Sequence, residues 1–235
     1  MSAHRVDVVL FAVSLCVSGL IALALLWSGT WAYAALASAT GHTSTTFTRA
    51  ASGRDGRAEI PETLEQLLDW HGRWAAYVIG IRREPPSSGP GGPLFTADEY
   101  AHMSDVRVVF RGAESIAPLA LTVIAFRLFR ARRRGAALLL IRDGSLMAAA
   151  LVALIGVIAV IAFDPLFLLF HEVFFPQGNF LFDPATSNLL RLYPEWYWQG
   201  VTAGVGVSFV ALALGAAATG QSLLSRPVTS YTRAA

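Results

Sequence analysis

Two histidines stand where a long apolar stretch meets a polar segment. His102 lies in FTADEYAHMSDVR (residues 95–107), which runs directly into an apolar stretch, and His171 lies in FHEVFFP (170–176), which follows another. Histidine changes its charge near neutral pH and can therefore move protons under physiological conditions. Two such residues at one membrane surface would suit acid–base chemistry on a molecule held in the bilayer.

Carboxylates accompany the first histidine at helical spacing. Thr96 and Glu99 form the pattern of a capping box, which predicts that a helix begins just before His102. Asp105 then lies three residues after His102 and shares its helix face. A carboxylate there can orient an imidazole and favour its protonated form, so Asp105 joins the histidines as a candidate catalytic residue, and Glu99 is an alternative for the same part.

A polar stripe continues from this motif into the apolar stretch. Arg107, Arg111 and Glu114 follow one another at spacings of four and three residues. Charges within a membrane helix usually face a cavity or a partner. Two interpretations stay open: a structural Arg111–Glu114 ion pair, or a polar pocket in which arginine holds a carbonyl or glycerol-ester oxygen. On the second interpretation Arg107 and Arg111, with Glu172 beside His171, are candidate substrate-binding residues.

The composition is that of a membrane protein. Hydrophobic residues make up 54% and charged residues 14% of the 235 residues, whereas soluble domains average about 25% charged residues. About 20 apolar residues are needed to cross the hydrocarbon core, and four stretches meet this requirement. The prediction is an all-α protein with a single membrane domain (1–235) and four transmembrane helices at 8–27, 108–129, 145–163 and 198–224.

The distribution of arginine predicts the orientation. The short connection between the second and third stretches is rich in arginine, and such loops stay in the cytoplasm. Arginines also occur near both termini (Arg5, Arg226 and Arg233), whereas segment 164–197 is acidic. Both termini are therefore expected inside, with segments 29–104 and 164–197 outside. An uncleaved first helix is favoured over a signal peptide cleaved after Ala37, because the apolar run is too long.

The first outer segment is too long for a plain connector. Residues 43–48 are polar and β-prone, and a helix is expected from Pro61, with aromatic residues that suggest an amphipathic helix on the membrane interface. His71 on this helix is expected at the surface. Residues 85–93 are rich in proline and glycine and predict a linker or turn.

The sequence lacks the residues and motifs on which several other kinds of enzyme depend. The chain contains no lysine, and its one cysteine, Cys16, lies within the first apolar stretch. No serine stands in a GxSxG elbow, and neither a phosphate-binding glycine loop nor an HExxH zinc helix is found. An enzyme nucleophile, a cofactor and a metal are therefore not expected.

The two histidine blocks together resemble those of the lipoprotein intramolecular transacylase (Lit) family of bacterial membrane proteins. The resemblance rests on FTxxEYxHMxDVR before the second stretch and FHxxFF…NxLFDP…LYPExxW after the third. Phe180 stands where a tryptophan is expected in family members. The resemblance implies an acyltransferase that moves an acyl chain from the diacylglyceryl group of a lipoprotein N-terminal cysteine to its α-amino group, with His102 and His171 as catalytic residues.

The expected partners are the diacylated lipoprotein N-terminus and membrane lipid, without nucleic acid, and the expected location is the bacterial cytoplasmic membrane with the active site at the outer leaflet. Two alternatives remain on the residues alone. One is a non-enzymatic membrane binding or assembly protein, and the other is a haem or metal protein that uses the two histidines as ligands. Haem ligation would favour histidines deep in facing helices, whereas these lie at helix ends.

Overall fold

The computed structural model describes residues 3–50, 57–87 and 92–226. This part of the chain is mostly helical, with one two-stranded antiparallel sheet. In chain order its elements are α1 (Ala3–Trp27), α2 (Thr30–Thr40), β1 (Ser44–Ala50), β2 (Arg57–Thr63), α3 (Leu64–Val78), α4 (Ala97–Arg133), α5 (Ala137–Ile161), α6 (Phe163–Phe174), α7 (Asn188–Leu192) and α8 (Glu195–Leu224).

Four of these helices are long and apolar enough to cross a membrane: α1, α4, α5 and α8. Lipid offers no hydrogen-bond partners to the backbone, whereas a helix pairs its own N–H and C=O groups. An apolar stretch of this length therefore forms a helix in the membrane. Each helix contains one of the four apolar stretches, apart from the last two residues of the third stretch, where α5 ends at Ile161 and α6 begins. The protein is thus a multi-pass membrane protein.

The contacts divide the chain into two compact units. One comprises residues 1–20, 117–155 and 206–235, and the other comprises residues 21–116 and 156–205. In the first unit the carboxylate of Asp7, which is 6% exposed, is paired with Arg127 at 2.9 Å and with Arg134 at 3.4 Å. Both histidine motifs belong to the second unit.

The β-prone segment forms a strand, so the all-α prediction needs a correction. β1 pairs with β2 in antiparallel register, with Phe47 opposite Ile60. The helix expected from Pro61 begins at Leu64 instead, because Pro61 lies in β2 and the Thr63 side chain accepts a hydrogen bond from the Gln66 amide in a capping box. Proline is tolerated in a strand at a sheet edge, where no amide hydrogen is required.

The amphipathic character of α3 was predicted, but its assignment to the membrane interface was wrong. Its apolar face packs into the protein core of the second unit, where Leu67, Trp70, Trp74 and Tyr77 are buried. Trp74 of α3 forms aromatic pairs with Tyr77, Phe95 and Tyr100, and such pairs add about 0.5–1.5 kcal/mol each to the free energy gained from burial. The aromatic side chains of α3 are therefore part of the folded core of segment 29–104.

His71 is buried in this core, not exposed at the surface. It is 2% exposed, and both ring nitrogens have partners: Nδ1 lies 3.2 Å from the Tyr193 hydroxyl and Nε2 lies 3.1 Å from the Ser28 carbonyl oxygen. The carbonyl can only accept, so Nε2 donates and Nδ1 accepts from the tyrosine. Burial lowers the pKa of His71 to about 4, which keeps it neutral and makes it a packing residue.

The acidic segment after α5 is more ordered than the expected loop. It contains α6, whose start at Phe163 follows directly on α5, and the short helix α7. The exposed large apolar side chains of α6 are Leu168, Leu169, Phe170, Val173 and Phe174. The segment between the two helices turns sharply at Gly178, which has a φ of 75°; L side chains seldom adopt this conformation, and glycine does so readily.

Two parts of the sequence interpretation fall partly outside the described residues. Arg226 is described and exposed, whereas Arg233 lies outside. Of the proline- and glycine-rich segment, residues 88–91 lie outside as well.

Candidate active site

The two motif histidines lie side by side. His102 is in the second turn of α4 and His171 is in the last turn of α6, and their ring centroids are 5.9 Å apart with the planes inclined by 20°. Because a short loop joins the second and third apolar stretches, their helices are predicted to be antiparallel neighbours, which would bring these residues, 69 positions apart in the sequence, together; this convergence is confirmed. At this separation one small polar group of a substrate can contact both rings.

Phenylalanine side chains surround the histidine pair. Phe175 is 2% exposed and its ring lies 4.8 Å from that of His102, with Phe182 at 5.6 Å. Phe167 lies 4.3 Å and Phe180 lies 5.1 Å from the ring of His171. Such an apolar lining lowers the local dielectric constant, so that charges developing between the rings interact more strongly than in water.

His171 has a defined tautomer. Its Nδ1 lies 2.7 Å from the carbonyl oxygen of Phe167, one helical turn earlier. A carbonyl oxygen accepts only, so Nδ1 carries the hydrogen and Nε2 keeps the lone pair of the neutral ring. Burial lowers the pKa of His171, and the hydrogen bond to Phe167 opposes this change without cancelling it. The neutral ring is therefore favoured, with Nε2 as its basic nitrogen.

His102 is 6% exposed, and its Nδ1 is a buried nitrogen without a hydrogen-bond partner among the described residues. Asp105, predicted to orient this ring, does not bond to it there. Its Oδ2 accepts hydrogen bonds from the side-chain amides of Gln177 and Asn179, each at 2.6 Å. Asn179 in turn lies beside His102, so that an amide stands between the carboxylate and the imidazole.

The capping box that begins α4 is confirmed, and Glu99 does more than cap the helix. Its carboxylate accepts from the amide of Thr96 at 2.7 Å, from the Ser187 hydroxyl at 2.6 Å and from the Leu189 amide at 2.8 Å. Glu99 is 1% exposed. Glu99 thus connects the start of α7 to the helix that carries His102. This role differs from the alternative considered above, in which Glu99 orients the His102 ring.

Both arginines of the polar stripe contact the end of α3. Arg107 lies over the ring of Tyr77 with 4.7 Å between its Cζ and the ring centroid, and its guanidinium donates to the carbonyl oxygens of Tyr77 and Arg82. Arg111 donates to the carbonyl oxygen of Ile79 at 3.4 Å. Arginine is favourable at the last carbonyls of a helix, where the helix dipole is negative. These contacts hold α3 against α4.

The Arg111–Glu114 ion pair expected on the structural interpretation is present. Arg111 comes nine residues after His102, and at about 100° per residue this separation places the two on opposite faces of the helix. Glu172 is exposed near the end of α6. A role in substrate binding stays a prediction for Arg107, Arg111 and Glu172.

Sequence reasoning missed Gln177 and Asn179 as members of the site. Asn179 opens the quoted NxLFDP motif, but nothing local indicates that its amide reaches Asp105, 74 residues earlier. It also missed Ser187 and Asn188. Asn188 is 1% exposed, accepts from the Thr48 amide at 2.8 Å and donates to the Thr48 and Leu94 carbonyl oxygens.

Membrane-spanning helices and a histidine pair enclosed by phenylalanines define a multi-pass membrane protein with a candidate acid–base site. The family model described as lipoprotein intramolecular transacylase Lit matches residues 63–198, more than half of the chain and both histidine motifs. The chain therefore belongs to the lipoprotein intramolecular transacylase (Lit) family, as its motifs suggested, and is a membrane-integral acyltransferase of that family.

Solved structures agree with this assignment at the level of the fold. The membrane-integral lipoprotein intramolecular transacylase Lit from Bacillus cereus is 13% identical, with a TM-score of 0.66, and the match covers 94% of this chain and 95% of that one. Its histidine-to-alanine variant is 13% identical with a TM-score of 0.64 over 94% and 93% of the two chains. The comparison with curated protein sequences finds no match.

Proposed function

We propose that this protein moves an acyl chain from the sn-2 ester of the diacylglyceryl group to the α-amino group of the same lipoprotein N-terminal cysteine, with His102 and His171 as the acid–base catalysts. The observation that carries the proposal is the histidine pair, with 5.9 Å between ring centroids, in a member of this family. Asp105 supports the pair through the neighbouring amides.

The substrate itself supplies much of the rate. Donor ester and acceptor amine belong to one molecule, and holding them in line can contribute about 7–11 kcal/mol without an enzyme nucleophile. Transfer from an ester to an amide is downhill and needs no energy-rich co-substrate. Proton transfer is the remaining requirement, and two positioned histidines are suited to it.

Proton balance assigns different parts to the two rings. The α-ammonium group loses two protons as the amide forms; one ends on the departing glycerol oxygen and the other leaves to water. His102, which is 6% exposed, is shielded and is the better carrier between the attacking nitrogen and the leaving oxygen. His171 is half-buried and is the better route for the proton released to water.

The site is proposed to face the outer leaflet of the cytoplasmic membrane, where lipidated N-termini reside. The arginines between α4 and α5 support this orientation through the positive-inside rule, with both termini in the cytoplasm. The outer segments 29–104 and 164–197 would then carry the hairpin and α3, and α6 and α7, respectively.

Reporter fusions test the orientation. A phosphatase that is active only outside the cytoplasm should be active when fused after Gln177 and inactive when fused after Arg133. A reporter that is active in the cytoplasm should give the reverse pattern. Phosphatase activity after Arg133 would place both histidines on the cytoplasmic side and overturn the proposed location.

The activity is tested with the full-length protein in nanodiscs and a synthetic diacylglyceryl-cysteine lipopeptide. Intramolecular transfer leaves the mass of the lipopeptide unchanged, so the acyl position must be read from fragment ions. The expected product carries one chain on nitrogen and one on glycerol. Lipopeptides with an acetylated α-amine, or with an ether in place of the sn-2 ester, should not react. Release of free fatty acid, or exchange of labelled chains between molecules, would contradict the proposal.

A further inference from the structure

Two buried polar atoms of the site lack hydrogen-bond partners. The Nδ1 of His102 and the Oδ1 of Asn179 are buried, and neither has a hydrogen-bond partner among the described residues. A buried polar atom without a partner destabilises the fold, because it has given up its hydrogen bonds to water. The two side chains are neighbours, and one atom can donate where the other accepts.

The orientation of the Asn179 amide follows from its other contact. Its Nδ2 donates to the Asp105 carboxylate at 2.6 Å, and Gln177 donates to the same oxygen. A carboxylate accepts hydrogen bonds from the amide NH2 group and not from its carbonyl oxygen. Asp105 therefore leaves the Oδ1 of Asn179 as the atom available to other partners.

The backbone before Asn179 makes this contact possible. The Gly178 amide donates to the Phe175 carbonyl oxygen at 3.0 Å, and the φ of Gly178 is 75°. This turn reverses the chain directly after Phe175, whose ring packs on His102. The turn thus delivers both the phenylalanine and the asparagine to the same histidine.

We propose that Asn179 is the positioning residue of His102: its Oδ1 accepts the hydrogen of Nδ1, and Asp105 holds the amide in the orientation that this requires. The catalytic consequence rests on the proposed function. A proton on Nδ1 leaves Nε2 as the basic nitrogen of His102, which is the tautomer that Phe167 imposes on His171. Both rings then begin the reaction able to accept a proton, as the loss of two protons from the ammonium group requires.

The tautomer can be measured independently of activity. The full-length protein is labelled with nitrogen-15 in its histidine rings, and the His102 signals are assigned by their loss in His102→Gln. At mildly alkaline pH, where free histidine is neutral, Nδ1 of His102 should be protonated and Nε2 should not. Asn179→Leu, which keeps the volume and removes the acceptor, should move part of the population to the other tautomer. An unprotonated Nδ1 in the wild type, or no change in the variant, would refute the proposal.

Turnover gives the second measurement. Asn179→Leu should lower kcat by about 10- to 100-fold, within the range that acid–base catalysis contributes, with little change in KM. The matched control is Gln177→Ala, which removes the other donor to Asp105. Its kcat should fall by less than that of Asn179→Leu. If Asn179→Leu folds and has the kcat of the wild type, Asn179 does not position His102. This result would leave the proposed transacylase activity itself untouched.

Exchanging the amide of Asn179 with the carboxylate of Asp105 tests whether Asn179 acts through its hydrogen bonds or only through its packing. Asn179→Asp alone sets two carboxylates against each other, and Asp105→Asn alone frees the amide to turn. In the double exchange an amide at position 105 donates to a carboxylate at position 179, which can still accept from His102. The double variant should recover tautomer and turnover relative to both single variants; failure to recover either would contradict the hydrogen-bonded chain.

Discussion

Replacement of either His102 or His171 by alanine is expected to lower acyl transfer by about 10²- to 10⁴-fold, the contribution of a positioned acid or base. The reason is that neither ring has a substitute. The chain has no lysine, and Cys16 lies in α1, far along the sequence from both motifs. In the proposed mechanism each ring handles one of the two protons that leave the attacking nitrogen, so that loss of one ring would leave one proton without a carrier.

Replacing a histidine with a side chain of similar size tests the loss of the imidazole without a large loss of stability. Because His102 packs on Phe175 and Phe182, alanine there leaves a cavity, and His102→Gln should be inactive with less loss of stability. His42 is exposed and stacks on Trp196, so His42→Ala should turn over within about twofold of the wild type. Fragment-ion analysis of the lipopeptide gives the rate. Near-normal turnover in either catalytic variant would remove that histidine from the mechanism.

Replacement of Glu99 by alanine should lower the free energy of unfolding by about 2–5 kcal/mol, because each buried donor that is left without an acceptor costs about 1–3 kcal/mol. Its carboxylate is the common acceptor for Thr96, Ser187 and Leu189, and removing it leaves buried donors unpaired. The start of α4 and the start of α7 would both loosen, and His102 lies only three residues away. Thermal unfolding in detergent measures the loss.

The controls for Glu99 separate its hydrogen bonds from its charge. Glu99→Gln keeps one acceptor oxygen and the volume of the side chain, so it should be less destabilising than alanine. Asp98 is an exposed neighbour in the same helical turn, and Asp98→Ala should change stability by less than about 0.5–1 kcal/mol, the size of a helix-dipole effect. A Glu99→Ala protein as stable as Asp98→Ala would mean that the network does not hold the two helices together.

Local patterns were sufficient for the membrane helices and for the start of α4. The apolar stretches are long enough that hydrophobicity alone determines their structure, because lipid leaves no alternative to a helix. The capping box at Thr96 and Glu99 depends on residues three apart, and it was predicted correctly. The convergence of His102 and His171 also followed from chain order, because it needed only two neighbouring helices joined by a short connection.

The features that the sequence did not predict depend on contacts between residues that are far apart in the chain. The apolar face of α3 has the same periodicity whether lipid or protein covers it, and only the packing of Trp74, Tyr77 and Phe95 shows which one does. His71 was expected at the surface because its partners, Ser28 and Tyr193, are distant in sequence. Arg107 and Arg111 also donate to backbone carbonyls at the end of α3, and no spacing within their own helix indicates these partners.

By itself the sequence determined the class of protein, the membrane helices and the two histidines, because apolar length and motif residues are properties of contiguous segments. Only the tertiary structure decided how the histidines are supported. The amide of Asn179 meets Asp105 across 74 residues through a turn that needs a glycine with positive φ. A hydrogen bond depends on atomic positions within a few tenths of an ångström, and no spacing in one segment specifies the position of an atom in another.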